Sequence, residues 1–155
     1  VCESMGSKFN GEYLGSFGFA SFFSMYFGHH LSTIEGGFIN TNDEDFYHLL
    51  LMMRSHGWDR DLGKESQSKW RQVWDIDDFR AQYTFYYPGM NLRSTDLQAF
   101  IGLNQLKKVE EFGNRRNKNF FEYINCLNTT GKQNNILKLE QRDGDFISNF
   151  IIKTT

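Results

Sequence analysis

The segment SMYFGHHLSTIEGG, residues 24 to 37, is the most informative stretch of this sequence. It overlaps ASFFSMYF, residues 20 to 27, which is aromatic, apolar and short. Such a run favours a buried strand over a helix. The strand leads into a loop with two adjacent histidines, His29 and His30, followed by paired glycines. Because imidazole exchanges protons near neutral pH, this loop is the first place to look for chemistry.

The composition restricts the class of protein. Of the 155 residues, 39% are hydrophobic, which is enough for a buried core. Seventeen Lys and Arg against nineteen Asp and Glu, with no basic block, predict no nucleic-acid partner. No apolar run approaches the roughly 18 residues of a membrane span, so we expect no membrane partner. The two cysteines, Cys2 and Cys126, have no disulfide or metal spacing, which favours a reducing, cytoplasmic setting.

Local patterns predict strands and one clear helix in the first part of the chain. Asn10-Gly11 suits the tight turn of a β-hairpin. Phe38 and Ile39 predict a brief strand. Thr41 with Glu44 has the spacing of a capping box, and the helix that follows has an apolar face and is expected to end at Gly57.

The second part is less regular. Residues 58 to 87 lack periodicity and are expected to form a long ordered surface segment. A second helix is predicted to begin at residues 94 to 98 and to break at Gly113, and a third is predicted from Phe120. Two strands are expected at residues 136 to 140 and 146 to 152.

Two motifs resemble the DegT/DnrJ/EryC1/StrS family of sugar aminotransferases, which are fold-type I pyridoxal-phosphate (PLP) enzymes. In that family a serine follows a buried strand, the cofactor-binding lysine comes five residues later, and Glu-Gly-Gly follows. Here Ser24 and the Glu-Gly-Gly run at 35 to 37 match, while His29 occupies the lysine position. NLRSTDLQA, residues 91 to 99, with Gly102 and Gln105, is similar to the family's Asn-x-Arg-x-Thr-Asp-x-Gln-Ala helix start.

The resemblance covers the whole chain and implies an α/β aminotransferase fold. It places residues 1 to 112 in part of the large PLP-binding domain, and residues 113 to 155 in a connecting helix and the start of the small C-terminal domain. Because the first residue is Val1 and the family's upstream motifs are missing, we expect a middle fragment. Such a fragment is expected to bind PLP weakly and to be inactive, since the family's glycine-rich phosphate loop and ring-stacking residue lie upstream.

The resemblance also implies roles for individual residues. Ser24 is expected to bind the cofactor phosphate, Glu3 to lie near the cofactor ring, and Asn91 to reach the cofactor of the neighbouring subunit in a homodimer. For the substrate, His30 is a candidate contact whose alternative is a structural role. Arg93 is a candidate to pair with the substrate phosphate or with Asp96.

His29 in place of lysine changes the implied chemistry. Imidazole cannot form a stable imine with an aldehyde, but it can still transfer protons. The combination resembles the subgroup that removes the 3-hydroxyl of a nucleotide-linked 4-keto-6-deoxy sugar with PLP and pyridoxamine phosphate (PMP). Its GDP-sugar branch takes its amino group from glutamate. Another branch carries a cysteine cluster, but residues 55 to 61 hold no cysteine, so no iron-sulfur centre is expected.

The sequence also allows three other interpretations. A metal site from His29, His30 and Glu35 is disfavoured, because the spacing is not His-Glu-x-x-His and supplies no placed third ligand. A conventional sugar aminotransferase is weakened by the missing lysine. A non-catalytic homologue that binds sugar nucleotides is the alternative from a different functional class.

Overall fold

The computed structural model describes residues 2 to 130. Contacts divide the chain into two compact units, one formed by residues 1 to 40 with 95 onward, the other by residues 41 to 94. The strands predicted at 136 to 140 and 146 to 152 lie outside the described residues. The elements in chain order are β1 (Lys8–Phe9), β2 (Glu12–Tyr13), β3 (Ala20–Ser24), β4 (Gly37–Thr41), α1 (Glu44–Met53), α2 (Lys64–Val73), a 3₁₀ turn (Arg80–Tyr83), α3 (Asp96–Leu106) and α4 (Val109–Thr129).

The first unit begins with the predicted hairpin. Strands β1 and β2 pair antiparallel, with Lys8 opposite Tyr13 and Phe9 opposite Glu12. Both turn residues have positive φ, 50° at Asn10 and 84° at Gly11. Asparagine and glycine tolerate this conformation better than other residues, and the turn prediction is confirmed.

Strands β3 and β4 form a second two-stranded sheet. The strand predicted at Phe38 and Ile39 is confirmed. The strand predicted over residues 20 to 27 ends at Ser24. Met25 N still donates across to Gly36 O, and the chain turns at the next residue, where Tyr26 N donates to Ser24 Oγ at 3.3 Å. The predicted burial of this strand is wrong for the described chain, since Ser21 is the one buried residue of β3 and Phe22 is 53% exposed.

Helices α3 and α4 are the remaining described elements of the first unit. The predicted start of α3 is confirmed by a capping box, in which Gln98 N donates to Thr95 Oγ1 at 3.4 Å and Thr95 N donates to Gln98 Oε1 at 2.9 Å. The predicted break at Gly113 is wrong: α4 runs through this buried glycine, and the separate third helix is the second half of α4. One glycine costs a helix only about 1 kcal/mol, which packing of a 21-residue helix readily offsets.

The second unit begins with α1. The predicted capping box of Thr41 and Glu44 is wrong, because Asp43 is the N-cap and its Oδ1 accepts from Phe46 N at 2.7 Å. Thr41 instead fixes the residue before the helix, accepting from Asp43 N at 3.1 Å. The helix ends at Met53, four residues before Gly57, which has a φ of 89°.

The prediction of an irregular segment over residues 58 to 87 is also partly wrong. It contains α2 and the 3₁₀ turn. No residue of α2 is buried, and most of its side chains are polar. The helix therefore lacks the apolar stripe on which periodicity analysis depends.

A buried carboxylate ties α2 to the segment before it. The Asp59 side chain is fully buried, and its Oδ2 accepts from Arg71 Nε at 2.8 Å. This hydrogen bond raises the pKa of Arg71 above its usual value, and the same guanidinium reaches the exposed Asp78 at 3.0 Å. Burial, reinforced by the charge of Asp59, likewise raises the pKa of Tyr86. Asp59 is thus the centre of the polar network in this unit.

We predict unequal effects for the two carboxylates that share Arg71. Asp59→Ala leaves a partly buried guanidinium without its main partner and should lower the free energy of unfolding by about 3 kcal/mol. Asp78→Ala removes a solvent-exposed partner of the same group and should change stability little. Urea denaturation of both variants measures the difference, and equal losses would contradict the prediction.

Candidate functional site

The histidine loop, residues 25 to 36, connects β3 to β4. Backbone hydrogen bonds close its base: Met25 N donates to Gly36 O at 2.8 Å, and Thr33 N donates to Met25 O at 2.9 Å. His29 N donates to Tyr26 O at 3.0 Å, which forms a turn at the histidine. The loop is therefore folded on itself and does not depend on side-chain contacts alone.

The end of the histidine loop has an unusual backbone. Ile34 has a φ of 76°, a conformation that is a genuine outlier for a β-branched residue. Its neighbours restrain it, because Ile34 N donates to Ser32 Oγ at 3.0 Å and Thr33 Oγ1 donates to Glu35 O at 2.8 Å. Gly36 follows with a φ of 144°, which an L side chain rarely adopts. The glycine of the motif is thus required by the backbone.

His29 lies at the turn with its side chain 20% exposed. Its Nε2 is 3.7 Å from Glu3 Oε1, a contact that becomes an ion pair when the imidazole is protonated. The ring packs edge-on against Tyr26 at 5.6 Å. Its Nδ1 is buried and has no hydrogen-bond partner within residues 2 to 130. The imidazole therefore has a carboxylate on one side and an uncommitted nitrogen on the other.

Ser24 and His30, two other predicted site residues, lie within five positions of His29 in the sequence. Ser24 Oγ accepts from Tyr26 N, which uses a lone pair and leaves the hydroxyl proton able to donate. His30 is buried, with 4% of its surface exposed. The structure thus brings Glu3, Ser24, His29 and His30 into one unit of the chain.

Asn91 and Arg93 belong to the other unit. Asn91 pairs with Ser55 in an isolated β-bridge. Arg93 Nε donates to Asn91 Oδ1 at 3.3 Å, so its described hydrogen bond goes to Asn91 and not to Asp96. Both side chains are on exposed residues, as a role toward another molecule requires.

Side chains from α3 and α4 contact the histidine loop, and sequence analysis gave them no role. Gln98 Nε2 donates to Glu35 O at 2.8 Å, and Gln105 Oε1 accepts from Ser32 N at 2.9 Å. Arg116 Nη2 donates to His29 O at 3.3 Å. The glutamines belong to a recognised motif, whereas Arg116 gave no signal because it is 87 residues from its partner.

Three further findings concern the described chain. Within residues 2 to 130, no three His, Cys, Asp or Glu side chains are grouped so as to hold a metal ion. Cys2 and Cys126 are both free and exposed. None of the described helices is long and apolar enough to cross a membrane.

Comparison with known proteins confirms the resemblance drawn from the motifs. The model of the DegT/DnrJ/EryC1/StrS aminotransferase family matches residues 1 to 154. The chain belongs to this family. The predicted α/β aminotransferase fold is thereby confirmed, whereas the domain boundary after residue 112 stays a prediction.

Two family members of high similarity are GDP-4-keto-6-deoxy-D-mannose 3-dehydratases. The GDP-4-keto-6-deoxy-D-mannose 3-dehydratase of Escherichia coli O55:H7 is 39% identical over 155 residues, which cover 98% of this chain and 38% of that protein. The enzyme of the same name from Yersinia pseudotuberculosis is 42% identical over 118 residues, covering 76% of this chain and 30% of that protein. The chain therefore spans less than half the length of these relatives.

Solved structures agree with the sequence relatives. The E. coli GDP-4-keto-6-deoxy-D-mannose 3-dehydratase with bound hydrated PLP has a TM-score of 0.79 and 37% identity, covering 99% of this chain and 39% of that one. A structure of a GDP-4-keto-6-deoxymannose 3-dehydratase with a trapped PLP-glutamate geminal diamine has a TM-score of 0.78, with the same identity and coverage.

We predict that two of the family glycines in this unit, Gly37 and Gly102, differ in their tolerance of a methyl group. A Cβ on Gly37 would lie 2.7 Å from the backbone carbonyl of Phe23, which cannot move without breaking the strand pair. A Cβ on Gly102 would lie 3.1 Å from a Thr33 methyl group, which can adjust. Gly37→Ala should therefore lower the free energy of unfolding by about 1 to 3 kcal/mol.

Gly102→Ala is the matched control. Its tight contact is offset by the higher helix propensity of alanine, so stability should change by less than about 1 kcal/mol. Denaturant midpoints of the two variants measure the difference. A larger loss for Gly102→Ala than for Gly37→Ala would show that the carbonyl of Phe23 is not the critical obstacle.

Proposed function

We propose that the protein containing this chain is a PLP/PMP-dependent 3-dehydratase of a nucleotide-linked 4-keto-6-deoxyhexose, with His29 as the proton-transfer base. The observation that supports the proposal is the imidazole of His29, which the motif spacing matches to the family's lysine position and whose Nδ1 has no hydrogen-bond partner among residues 2 to 130. A base needs a nitrogen that other groups of the protein do not occupy. The two GDP-4-keto-6-deoxy-D-mannose 3-dehydratases among the relatives support the choice of reaction.

The residues present fit a PLP-type cofactor. Ser24 retains a hydroxyl proton for a phosphate oxygen, Glu3 is beside the base, and His29 replaces the amine that would hold the cofactor covalently. A PLP-bound structure among the relatives supports the cofactor, and the PLP-glutamate adduct in another supports glutamate as amino donor. The name of the relatives supports a GDP-linked sugar as the nucleotide substrate. We propose no iron-sulfur centre, because residues 55 to 61 lack cysteine.

When bound, the aminated cofactor would supply, after loss of its methylene proton, the electron pair that lets the hydroxyl beside the former ketone depart. His29 removes the proton that starts this departure and can return it afterwards. Once His29 is protonated, the Glu3 carboxylate 3.7 Å away attracts the imidazolium, which steadies the proton between the two steps. Ser24 would hold the phosphate, and Asn91 and Arg93 would contact the cofactor of the partner subunit and the substrate phosphate.

The proposed reaction has a distinctive balance. Glutamate is oxidised to 2-oxoglutarate, C3 of the sugar is reduced as its hydroxyl is lost, and the amino nitrogen leaves as ammonia. A conventional aminotransferase would form 2-oxoglutarate and an amino sugar without ammonia. A non-catalytic homologue would form no 2-oxoglutarate, no deoxygenated sugar and no ammonia. Quantifying all three products from glutamate and a GDP-linked 4-keto-6-deoxy sugar therefore separates the proposal from both alternatives.

We predict that His29→Asn abolishes most ammonia release by the full-length enzyme. Asparagine keeps a polar side chain of similar size but cannot accept a proton, and loss of a general base lowers kcat by about 10²- to 10⁴-fold. His56→Asn is the matched control, because His56 has a φ of 62°, which asparagine tolerates. Equal activity of the His29 variant and the wild type would rule out His29 as the base.

We also predict that the 155-residue chain alone binds PLP weakly. It spans 38% of the E. coli relative, and the family's glycine-rich phosphate loop is not among the motifs found in these 155 residues. Absorbance titration should show no stoichiometric binding, whereas the full-length protein should bind tightly and give no cofactor-lysine adduct after borohydride reduction. Tight binding by the short chain would contradict the prediction. The homodimer and the cytoplasmic location remain predictions.

A further inference from the structure

Three long side chains tie the histidine loop to the helices that follow it. Gln98 and Gln105 extend from α3, and Arg116 extends from α4. Each makes its hydrogen bond to a backbone group of the loop, at Glu35, Ser32 and His29 respectively. All six residues belong to the same unit. The loop is therefore held at three points along its length.

Arg116 binds the backbone of His29, the proposed base. Its Nη2 donates to the carbonyl of His29 itself, and its Nη1 is buried without a hydrogen-bond partner in the described part of the chain. Hydrogen bonds from charged donors are stronger than those between neutral groups. Arg116 can thus restrain the backbone that sets the position of the imidazole.

The two glutamines bind the loop in different ways. Gln98 uses both the oxygen and the nitrogen of its side-chain amide, whereas Gln105 binds one backbone N–H of the loop. Gln98 Oε1 accepts from Thr95 N as part of the helix cap, while its Nε2 donates to Glu35 O. The start of α3 and the Glu-Gly-Gly run are therefore joined through one side chain. Gln105 satisfies the Ser32 amide. Gly102, one turn from each glutamine, allows Thr33 to approach the helix closely.

We propose that Arg116, Gln105 and Gln98 are positioning residues that fix the histidine loop so that His29 is held ready for proton transfer. The proposal rests on the proposed function for the role of His29, although the restraint itself does not. A reacting group must be held within about 0.5 Å of its productive position. Misplacement by about 1 Å can lower the rate of an enzyme by about 100-fold.

The first experiment measures the restraint without activity. Amide hydrogen exchange of the full-length, cofactor-free protein reports on His29, Ser32 and Thr33, whose N–H groups all donate hydrogen bonds. Arg116→Met keeps the aliphatic stem and removes the donors, and we expect exchange at His29 to rise by about 10-fold or more. Gln105→Met should instead raise exchange most at Ser32. Arg115→Met, an exposed neighbour on α4, is the control and should change neither.

The second experiment measures the consequence for catalysis. Arg116→Met should lower kcat for ammonia release by about 10- to 100-fold and leave KM nearly unchanged, because Arg116 is assigned no contact with substrate. Arg116→Lys keeps the positive charge and a hydrogen-bond donor group, and it should recover part of the lost rate. Arg115→Met should match the wild type.

The two measurements separate the possible failures. Unchanged exchange at His29 in Arg116→Met would overturn the restraint. Raised exchange with unchanged kcat would overturn the positioning role. If the wild-type protein releases no ammonia, the proposed function fails, but raised exchange at His29 in Arg116→Met would still support the restraint.

Discussion

The structure of the candidate site depends on the close approach of two backbones at the end of the histidine loop. Gly37 lies so near the carbonyl of Phe23 that a Cβ there would be 2.7 Å from the oxygen. Beside it, Met25 N donates to Gly36 O, which closes the loop. The chain between them must complete its turn in residues 26 to 35, and this short path places His29 at the turn beside Tyr26. A larger residue at Gly37 would separate the strands that hold both ends.

The local parts of the fold could be predicted from sequence where a few neighbouring residues decide the conformation. Asn10-Gly11 and the Thr95–Gln98 capping box follow from backbone preference and short-range hydrogen bonds. Predictions failed where the competing choices were similar in energy. Asp43 and Thr41 are both good helix caps, and the structure uses the aspartate. Gly113 is a weak helix breaker that a long helix tolerates. Helix α2 has no apolar face to detect.

The residues of the candidate site likewise fall into those that could be predicted from sequence and those that could not. Ser24, His29 and the Glu-Gly-Gly run could be singled out because their spacing along the chain carries the signal. Glu3 was expected near the cofactor, and its 3.7 Å contact with His29 Nε2 could not be derived, since residues 4 to 28, whose path was unknown, separate them. Arg116 could not be found at all, because a side chain that binds a distant backbone carbonyl leaves no pattern in its own neighbourhood. Long-range backbone contacts are visible only once the fold is known.

On the proposed function, a histidine at the family's lysine position explains why such contacts matter here. A lysine joined covalently to its cofactor is located by that bond, even when its loop moves. A histidine has no such bond, and its proton transfer depends on where the backbone places a short, rigid side chain. Ties from α3 and α4 to the backbone at His29, Ser32 and Glu35 can supply this constraint. Without a covalent link to the cofactor, the loop alone must position the reacting side chain. Hydrogen bonds to the loop backbone can do this without using the nitrogens of the imidazole.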